Sequence, residues 1–160
     1  MGMRTDASSR PVTIVTGASR GIGAAIAERL AADGHDLVLT YRDRAADAAE
    51  VVRVCEASGA RVLTLRVDLA DLEQAASLMP AAIAEFGTIT GLVNNAGITG
   101  RIGAFLDGSI KESELVFRIN VLAPIVLTRA AIAHMATDRG GVGGSIVNIS
   151  SGAQDRKSVV

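Results

Sequence analysis

Short apolar runs alternate along this chain with longer alanine-rich segments, and this alternation constrains the fold more than any other feature. The runs are rich in β-branched residues and end at glycine or polar residues, which is typical of buried strands. The longer segments have their apolar residues at helical spacing. The predicted strands cover residues 12–16, 37–40, 61–67, 89–94 and 145–149. The predicted helices cover residues 21–33, 44–58, 71–86 and 111–136.

The alternation of strands and helices predicts an α/β fold of the Rossmann type, with a doubly wound parallel sheet of about five strands. The composition agrees, because 49% of the residues are hydrophobic but only 2% are aromatic. The core must therefore consist of Ala, Val, Ile and Leu, as in a sheet covered on both faces. We expect one domain over residues 11–153, a flexible leader over residues 1–10 and an atypical tail over residues 154–160.

Three features of the predicted helices can be tested individually. The spacing places Ile22, Ile26 and Leu30 together on one side of the first helix. Asp71 is a natural N-cap for the third helix. Pro124 removes a backbone hydrogen bond inside the last helix, so we expect a kink or an irregular turn near Asn120.

Charge and composition exclude several classes of function. The 16 basic and 17 acidic residues give a net charge of −1, so we expect neither a nucleic-acid nor a membrane partner. The N-terminus has no apolar core of a signal peptide, and no stretch reaches the roughly 18 apolar residues that a membrane span needs. These observations predict a cytoplasmic protein. The single cysteine, Cys55, has no metal-binding partners in sequence, so we expect a buried apolar filler and no metal site.

The segment after the first predicted strand is glycine-rich and leads directly into a helix. It runs Thr16-Gly17-Ala18-Ser19-Arg20-Gly21-Ile22-Gly23. Glycine permits the backbone angles of a sharp turn and allows a phosphate to approach backbone N–H groups. A helix N-terminus also favours an anion, because its first N–H groups are unpaired. The turn predicts a diphosphate site, and the alternative is a glycine turn that only packs strand against helix.

The spacing of this turn resembles that of the short-chain dehydrogenase/reductase family rather than the general dinucleotide-binding fingerprint. Four further segments agree with the family in order and interval over about residues 11–153. They are Asp68-Leu69, Asn94-Asn95-Ala96-Gly97, Asn120, and the strand Ile146-Val147-Asn148-Ile149 before Ser150-Ser151. The resemblance implies an oxidoreductase that transfers hydride between a nicotinamide cofactor and a small carbonyl or alcohol substrate.

The end of the second predicted strand indicates which cofactor is bound. Enzymes that use NAD usually place a carboxylate there to bind the ribose hydroxyls, but this chain has Tyr41. Arg20 and Arg42 could both reach a 2′-phosphate, so NADP(H) is favoured over NAD(H). Asp43 could weaken this preference, and the alternative for Arg42 is a solvated surface charge.

The resemblance assigns the remaining cofactor contacts. Asp68 is expected to accept a hydrogen bond from the adenine amino group, although a turn cap is an alternative role. Asn95, Ala96 and Gly97 are expected to lie beside the adenosine ribose. The complete predicted cofactor set is Gly17, Ser19, Arg20, Gly21, Ile22, Gly23, Arg42, Asp68, Leu69, Asn95, Ala96 and Gly97.

The resemblance also implies part of a catalytic set. Ser151 corresponds to the serine that hydrogen-bonds the reacting oxygen, and Asn120 to the asparagine that holds a water in the proton relay. The alternatives are a strand-end turn residue for Ser151 and a helix residue turned to solvent for Asn120. The family's Tyr-x-x-x-Lys pair has no counterpart, because Tyr41 is the only tyrosine and Lys157 has no tyrosine four residues before it.

These observations lead to several expectations about the chain as a whole. The chain is expected to be a truncated member of the family, with impaired activity and with its fifth strand as an apolar sheet edge. Two alternatives stay open, a non-catalytic NADP(H)-binding module and an inactive remnant. The resemblance also makes it possible that the chain forms a homo-oligomer. The long helix could contribute to its interface, or to the core, through Val121, Ile125, Ala130 and Ala133.

Overall fold

The computed structural model of the protein describes residues 10–151 and contains the predicted five-stranded parallel sheet. Most of the predicted leader and all of the predicted tail lie outside the described residues. The sheet has the order β3-β2-β1-β4-β5. Its strands are β1 (Val12–Val15), β2 (Asp36–Tyr41), β3 (Val62–Arg66), β4 (Gly91–Asn94) and β5 (Ser145–Asn148). The helices are α1 (Gly21–Ala32), α2 (Ala45–Ala57), α3 (Leu72–Phe86), α4 (Ile110–Phe117) and α5 (Ala123–Met135).

The strand order creates a crevice between the ends of β1 and β4. The chain builds the sheet outward from β1 to β3, then returns to the other side of β1 to form β4 and β5. In open parallel sheets of this kind, ligands bind beyond the carboxyl ends of the strands where the order reverses. The topology therefore directs attention to the turns that follow β1 and β4.

Two apolar clusters hold the helices against the two faces of the sheet. One contains Ile14, Leu92 and Leu127 and lies under α3 and α5. The other includes Leu37 and Cys55 and lies under α1 and α2. Cys55 is fully buried, as predicted, and burial raises the pKa of its thiol to about 11. Its thiol is therefore protonated and uncharged at neutral pH, and Cys55 serves as an apolar packing residue of the core. Within the described part of the chain, no cluster of three or more His, Cys, Asp or Glu could hold a metal ion.

The predicted apolar side of α1 is only partly the side that packs on the core. Ile22 is 63% exposed, whereas Ile26 and Leu30 are half-buried and pack against the second apolar cluster. The face that packs on the sheet consists of small residues, Gly23, Ala24, Ala27 and Ala31. Small residues allow the helix to lie close to the sheet, and this brings its first turn against the end of β1.

The predicted long helix has an irregular turn near Asn120, at the place that Pro124 predicted. A π-helical turn (Arg118–Leu122) separates α4 from α5, and Pro124 lies in the first turn of α5. Because the helical backbone is continuous through this stretch, the missing N–H of Pro124 leaves a carbonyl group of the preceding turn without its helical partner, and the irregular turn lies at that place. Asn120 lies inside the π-helical turn, a type of irregularity that is frequent at functional sites.

The expectation that no stretch of the chain is long and apolar enough to span a membrane needs correction. By length and composition alone, the helical stretch Ile110–Met135 could cross a membrane. Such a helix is weak evidence of a membrane protein, because core helices pass the same test. In this fold, Leu127 and Ala131 of that stretch belong to the core under the sheet.

The fifth strand forms one edge of the sheet, as expected. β5 pairs with β4 through Ile146 and Val147, and within residues 10–151 no strand pairs with its other side. Three of its four residues are exposed, including Val147. This edge lies beside the second of the two cavities described below.

Candidate cofactor-binding site

A single threonine connects the turn after β1 with the turn after β4. The hydroxyl oxygen of Thr16 accepts hydrogen bonds from the backbone N–H groups of Asn95 and Ala96, both at 3.0 Å. In return, the Asn95 carboxamide nitrogen donates to the carbonyl oxygens of Thr16 (2.9 Å) and Gly17 (3.1 Å). These four bonds hold the two turns at the crevice in one fixed arrangement.

The end of β2 is fastened to the same turn. The backbone N–H of Gly17 donates to the Thr40 hydroxyl at 3.2 Å, and the N–H of Ala18 donates to the Thr40 carbonyl oxygen at 2.8 Å. Thr16 and Thr40 were not among the predicted site residues. Both act across strands, so their roles depend on strand order, which a local sequence pattern does not carry.

The glycines of the turn are required by backbone angle and by space. Gly17 has a φ of +65°, and a Cβ there would lie 2.9 Å from the Cβ of Ala96. A Cβ at Gly23 would lie closer than 3.0 Å to both the Gly17 carbonyl oxygen and the Asn95 carboxamide nitrogen. Gly21 has a φ of +58° and begins α1, and Arg20 supplies no side-chain cap there. The first-turn N–H groups of α1 therefore face the turn without a capping side chain.

A cavity of about 510 Å³ lies above these turns, at the carboxyl ends of β1, β2 and β4. All twelve residues predicted to bind the cofactor line it. The structure thus brings together four separate segments of the chain, although the role of each residue stays a prediction. Seven lining residues were not in the predicted cofactor set, although Tyr41 and Asp43 entered the argument on cofactor preference: Thr40, Tyr41, Asp43, Arg44, Val67, Ile98 and Ile119.

The basic residues of the cavity differ in what they contact. The Arg42 guanidinium forms an ion pair with Asp43, with 2.6 Å between Nε and Oδ2. Arg44 forms one with Asp47, with 3.2 Å between Nη1 and Oδ2. The Arg20 side chain has no hydrogen bond or ion pair with any residue in the described part of the chain.

Asp68 caps a local turn and also lines the cavity, so its expected hydrogen bond with the adenine stays a prediction. One carboxylate oxygen accepts a hydrogen bond from the N–H of Ala70 at 2.9 Å, which is a local turn cap. The residue also lines the cavity. Asp71, three residues on, caps α3 as predicted by accepting from the N–H groups of Glu73 and Gln74.

A second cavity, of about 860 Å³, adjoins the first and contains both predicted catalytic residues. Asn120 and Ser151 line it, and it shares Ile22 and the turn after β4 with the first cavity. The Asn120 carboxamide accepts from the N–H of Ile98 at 2.9 Å and donates to the Ile98 carbonyl oxygen at 2.7 Å. Asn120 is therefore not simply turned to solvent, since it anchors the loop after β4.

A further asparagine, which was not predicted as a site residue, joins the elements around the second cavity. The Asn94 carboxamide nitrogen donates to the Thr128 hydroxyl at 3.2 Å and to the Asn148 side-chain oxygen at 2.8 Å. These bonds connect the ends of β4 and β5 with α5. They hold the end of β5, three residues before Ser151, against β4 and α5.

Comparisons with known proteins agree with this architecture. A family model described as short chain dehydrogenase matches residues 11–160. An uncharacterised oxidoreductase of Methylorubrum extorquens is 40% identical over 144 residues, which cover 90% of this chain and 56% of that protein. Versicolorin reductase 1 of Dothistroma septosporum is 34% identical over 148 residues, covering 92% of this chain and 54% of that protein.

A solved structure shows the same similarity in three dimensions. The crystal structure of a short chain dehydrogenase from Burkholderia cenocepacia J2315 in complex with NADP is similar to this chain with a TM-score of 0.85 and 39% identity. The match covers 94% of this chain and 59% of that one. The chain spans about half the length of the curated relatives it matches.

Proposed function

We propose, from the premise that this chain belongs to the short-chain dehydrogenase family, that it holds NADP(H) for hydride transfer between the nicotinamide and a carbonyl or alcohol substrate. The observation that carries the proposal is the convergence of four separate segments on the 510 Å³ cavity. A small-molecule substrate and a cytoplasmic location belong to the same proposal. The membership itself makes the chain an oxidoreductase by family.

The diphosphate is assigned to the turn between β1 and α1. Gly17 and Gly23 let the turn pack closely against the turn after β4, where a Cβ would clash, and a Cβ position at Gly21 has open space around it. The first-turn N–H groups of α1 have no side-chain cap. Unpaired N–H groups at a helix N-terminus favour an anion through hydrogen bonding and through the helix dipole. The donor set therefore fits a diphosphate.

The preference for NADP(H) over NAD(H) is assigned to the basic residues of the cavity. Among the three arginines that line the cavity, Arg20 is the one with no ion pair to a described residue, and Tyr41 stands where a ribose-binding carboxylate would favour NAD(H). A guanidinium matches the geometry of a phosphate. The Burkholderia cenocepacia relative, which was solved in complex with NADP, supports the same preference.

Asn120 and Ser151 are assigned to the reacting end of the site. NADP(H), when bound, supplies or accepts the hydride. The Ser151 hydroxyl would hydrogen-bond the substrate oxygen, and the π-helical turn at Asn120 would hold a water for proton transfer, because its backbone departs from the α-helical pattern. The Asn120 side chain itself is occupied by Ile98 and serves to position the loop.

A phenol needs a nearby cation to act as a base at neutral pH, and this chain contains no Tyr-x-x-x-Lys pair. Its one tyrosine, Tyr41, is at the end of β2 on the first cavity, away from Ser151 and Asn120 on the second. We therefore expect the 160-residue chain to bind NADP(H) with little or no turnover. The second candidate function is a non-catalytic NADP(H)-binding module, which this arrangement also favours.

A homo-oligomer through the long helix is also part of the proposal. Val121, Ile125 and Ala133 are exposed, whereas Ala130 is half-buried against the core. Phe117 adds a large exposed apolar side chain to the same stretch. Sedimentation of the purified chain would test this, and a strict monomer at high concentration would contradict it.

Titration of the purified chain with NADPH, followed by thermal melting, tests the proposed function. A ligand at 100 times its Kd stabilises the folded state by about 2.7 kcal/mol. At this chain length the melting temperature should rise by about 5–10 °C. A flat melting curve would contradict NADP(H) binding. Rapid oxidation of NADPH in the presence of carbonyl compounds would contradict the expected lack of turnover, and binding without oxidation would favour the module.

A further inference from the structure

We infer that Asp43 limits how strongly this site prefers NADP(H), because it pairs with the Arg42 guanidinium and so competes with a 2′-phosphate for it. The inference rests on the proposed NADP(H) site and deepens it. It adds a specificity-determining residue that is itself acidic and does not bind the phosphate.

The ion pair lies within the first cavity. Arg42 and Asp43 both line it, and 2.6 Å separates the Arg42 Nε from an Asp43 carboxylate oxygen. Their side chains are 55% and 59% exposed, so the pair is open to solvent and to a ligand. The hydrogen bond and the charge of Asp43 raise the pKa of Arg42 above its ordinary value. The carboxylate thus occupies a guanidinium edge that a phosphate would otherwise use.

Arg20 differs from Arg42 because it has no acidic partner among the described residues. It lines the same cavity, and its side chain contacts no acidic residue in the part of the chain that the structure describes. Arg20 can therefore meet a 2′-phosphate directly, whereas Arg42 must first leave Asp43. A carboxylate within the cavity also repels a phosphate by Coulomb's law, and this repulsion is present whichever way Arg42 turns.

The backbone that carries this ion pair is held independently of it. Arg66 on β3 donates from Nε to the Arg42 carbonyl oxygen at 3.0 Å, and the N–H of Val67 donates to the Tyr41 carbonyl oxygen at 2.9 Å. Loss of the Asp43 charge should therefore release the Arg42 side chain without moving the turn. This separation makes Asp43→Asn a clean probe.

The test compares Asp43→Asn with the unmodified 160-residue chain by titration with NADPH and with NADH at one fixed ionic strength. We expect NADPH to bind about threefold to tenfold more tightly, the range that an exposed ion pair and a nearby like charge allow. The Kd for NADH should change by less than about twofold, since NADH has no 2′-phosphate. Asp33→Asn is the matched control, because Asp33 pairs with exposed Arg29 at 2.8 Å at the far end of α1.

A second background shows whether Asp43 acts through Arg42. In an Arg42→Gln chain, Asp43→Asn should tighten NADPH by a clearly smaller factor than in the unmodified chain, because only the direct repulsion between Asp43 and the phosphate is left to remove. Three results would overturn the inference. They are an unchanged NADPH Kd in Asp43→Asn, the same gain in the Arg42→Gln background, and weaker NADH binding, which would make Asp43 a ribose ligand.

The outcome also separates this inference from the function on which it rests. If the unmodified chain does not bind NADPH at all, the proposed function fails and the inference fails with it. If the unmodified chain binds NADPH but Asp43→Asn leaves the ratio of the NADPH and NADH affinities unchanged, only the inference fails.

Discussion

Gly23→Ala sets two physical effects of opposite sign against each other. Gly23 lies in the first turn of α1, and its backbone is not in the left-handed region. Helix propensity alone therefore predicts that alanine stabilises the fold by about 0.5–1 kcal/mol. The surroundings predict the reverse, because a Cβ would lie closer than 3.0 Å to the Gly17 carbonyl oxygen and the Asn95 carboxamide.

The size of the loss follows from what must move. Overpacking of this kind typically costs about 1–3 kcal/mol. The carboxamide that has to give way is the one that bonds the carbonyl oxygens of Thr16 and Gly17, and each lost hydrogen bond costs about 0.5–1.5 kcal/mol. After subtraction of the helix propensity gain, we expect a net destabilisation of about 3 kcal/mol. The melting temperature should fall by about 6–12 °C.

Denaturant unfolding and NADPH titration together test this prediction. We expect the NADPH affinity of Gly23→Ala to fall by about tenfold or more, because the turn can no longer close around the diphosphate. Gly34→Ala is the control, since Gly34 lies two residues beyond the end of α1, has a φ of +91° and has open space around it. It should lose about 1–2 kcal/mol for its backbone angle and keep its NADPH affinity. A Gly23→Ala protein that is more stable and binds NADPH normally would refute the steric reasoning.

Three further predictions concern other parts of the site and its supports. Arg20→Gln should weaken NADPH binding by about tenfold and leave NADH within about twofold, as measured by titration. Asn120→Ala should lower the melting temperature by about 2–4 °C, because the two hydrogen bonds to Ile98 are lost. Asp71→Asn should lower the melting temperature at neutral pH but not in acid. Hydrogen bonds from Gln74 and Glu73 lower the pKa of Asp71, so its stabilisation is complete above about pH 4 and disappears as the pH falls through the folded-state pKa.

Each of these predictions has a matched control and an outcome that contradicts it. Arg53→Gln removes an exposed guanidinium of α2 that pairs with Glu50, and it should not change either cofactor affinity. An equal loss of NADPH and NADH affinity in Arg20→Gln would contradict the 2′-phosphate assignment. Asn120→Asp keeps the acceptor for the Ile98 N–H but places a carboxylate oxygen against the Ile98 carbonyl oxygen, so it should not recover the stability that alanine loses. A difference between Asp71→Asn and the unmodified chain that grows below pH 4 would contradict the sign of the pKa shift.

Much of the fold could be predicted because its signals are local. Strand runs, helical spacing and the capping residue Asp71 are patterns within about 15 residues, and the structure contains each of them. The interruption near Asn120 was predictable for the same reason, since Pro124 acts on its own helix. The buried side of α1 was not predictable from hydrophobicity. The close approach of that helix to the sheet selects small residues, and the larger Ile22 is left at the cavities.

The sequence by itself determined the identity of the elements, the glycine turn after β1 and the family resemblance, because each depends on residue type and spacing along the chain. Only the tertiary structure decided which distant groups meet. Strand order places Thr16 beside Asn95 and Thr40 beside Gly17. The spacing of these residues along the sequence does not show that they are in contact. Side-chain geometry also distinguishes two arginines that look alike in sequence: Arg42 pairs with Asp43, whereas the described structure leaves the Arg20 guanidinium for a ligand. The physical reason is that ion pairs and hydrogen bonds depend on separations of a few ångströms, which folding sets.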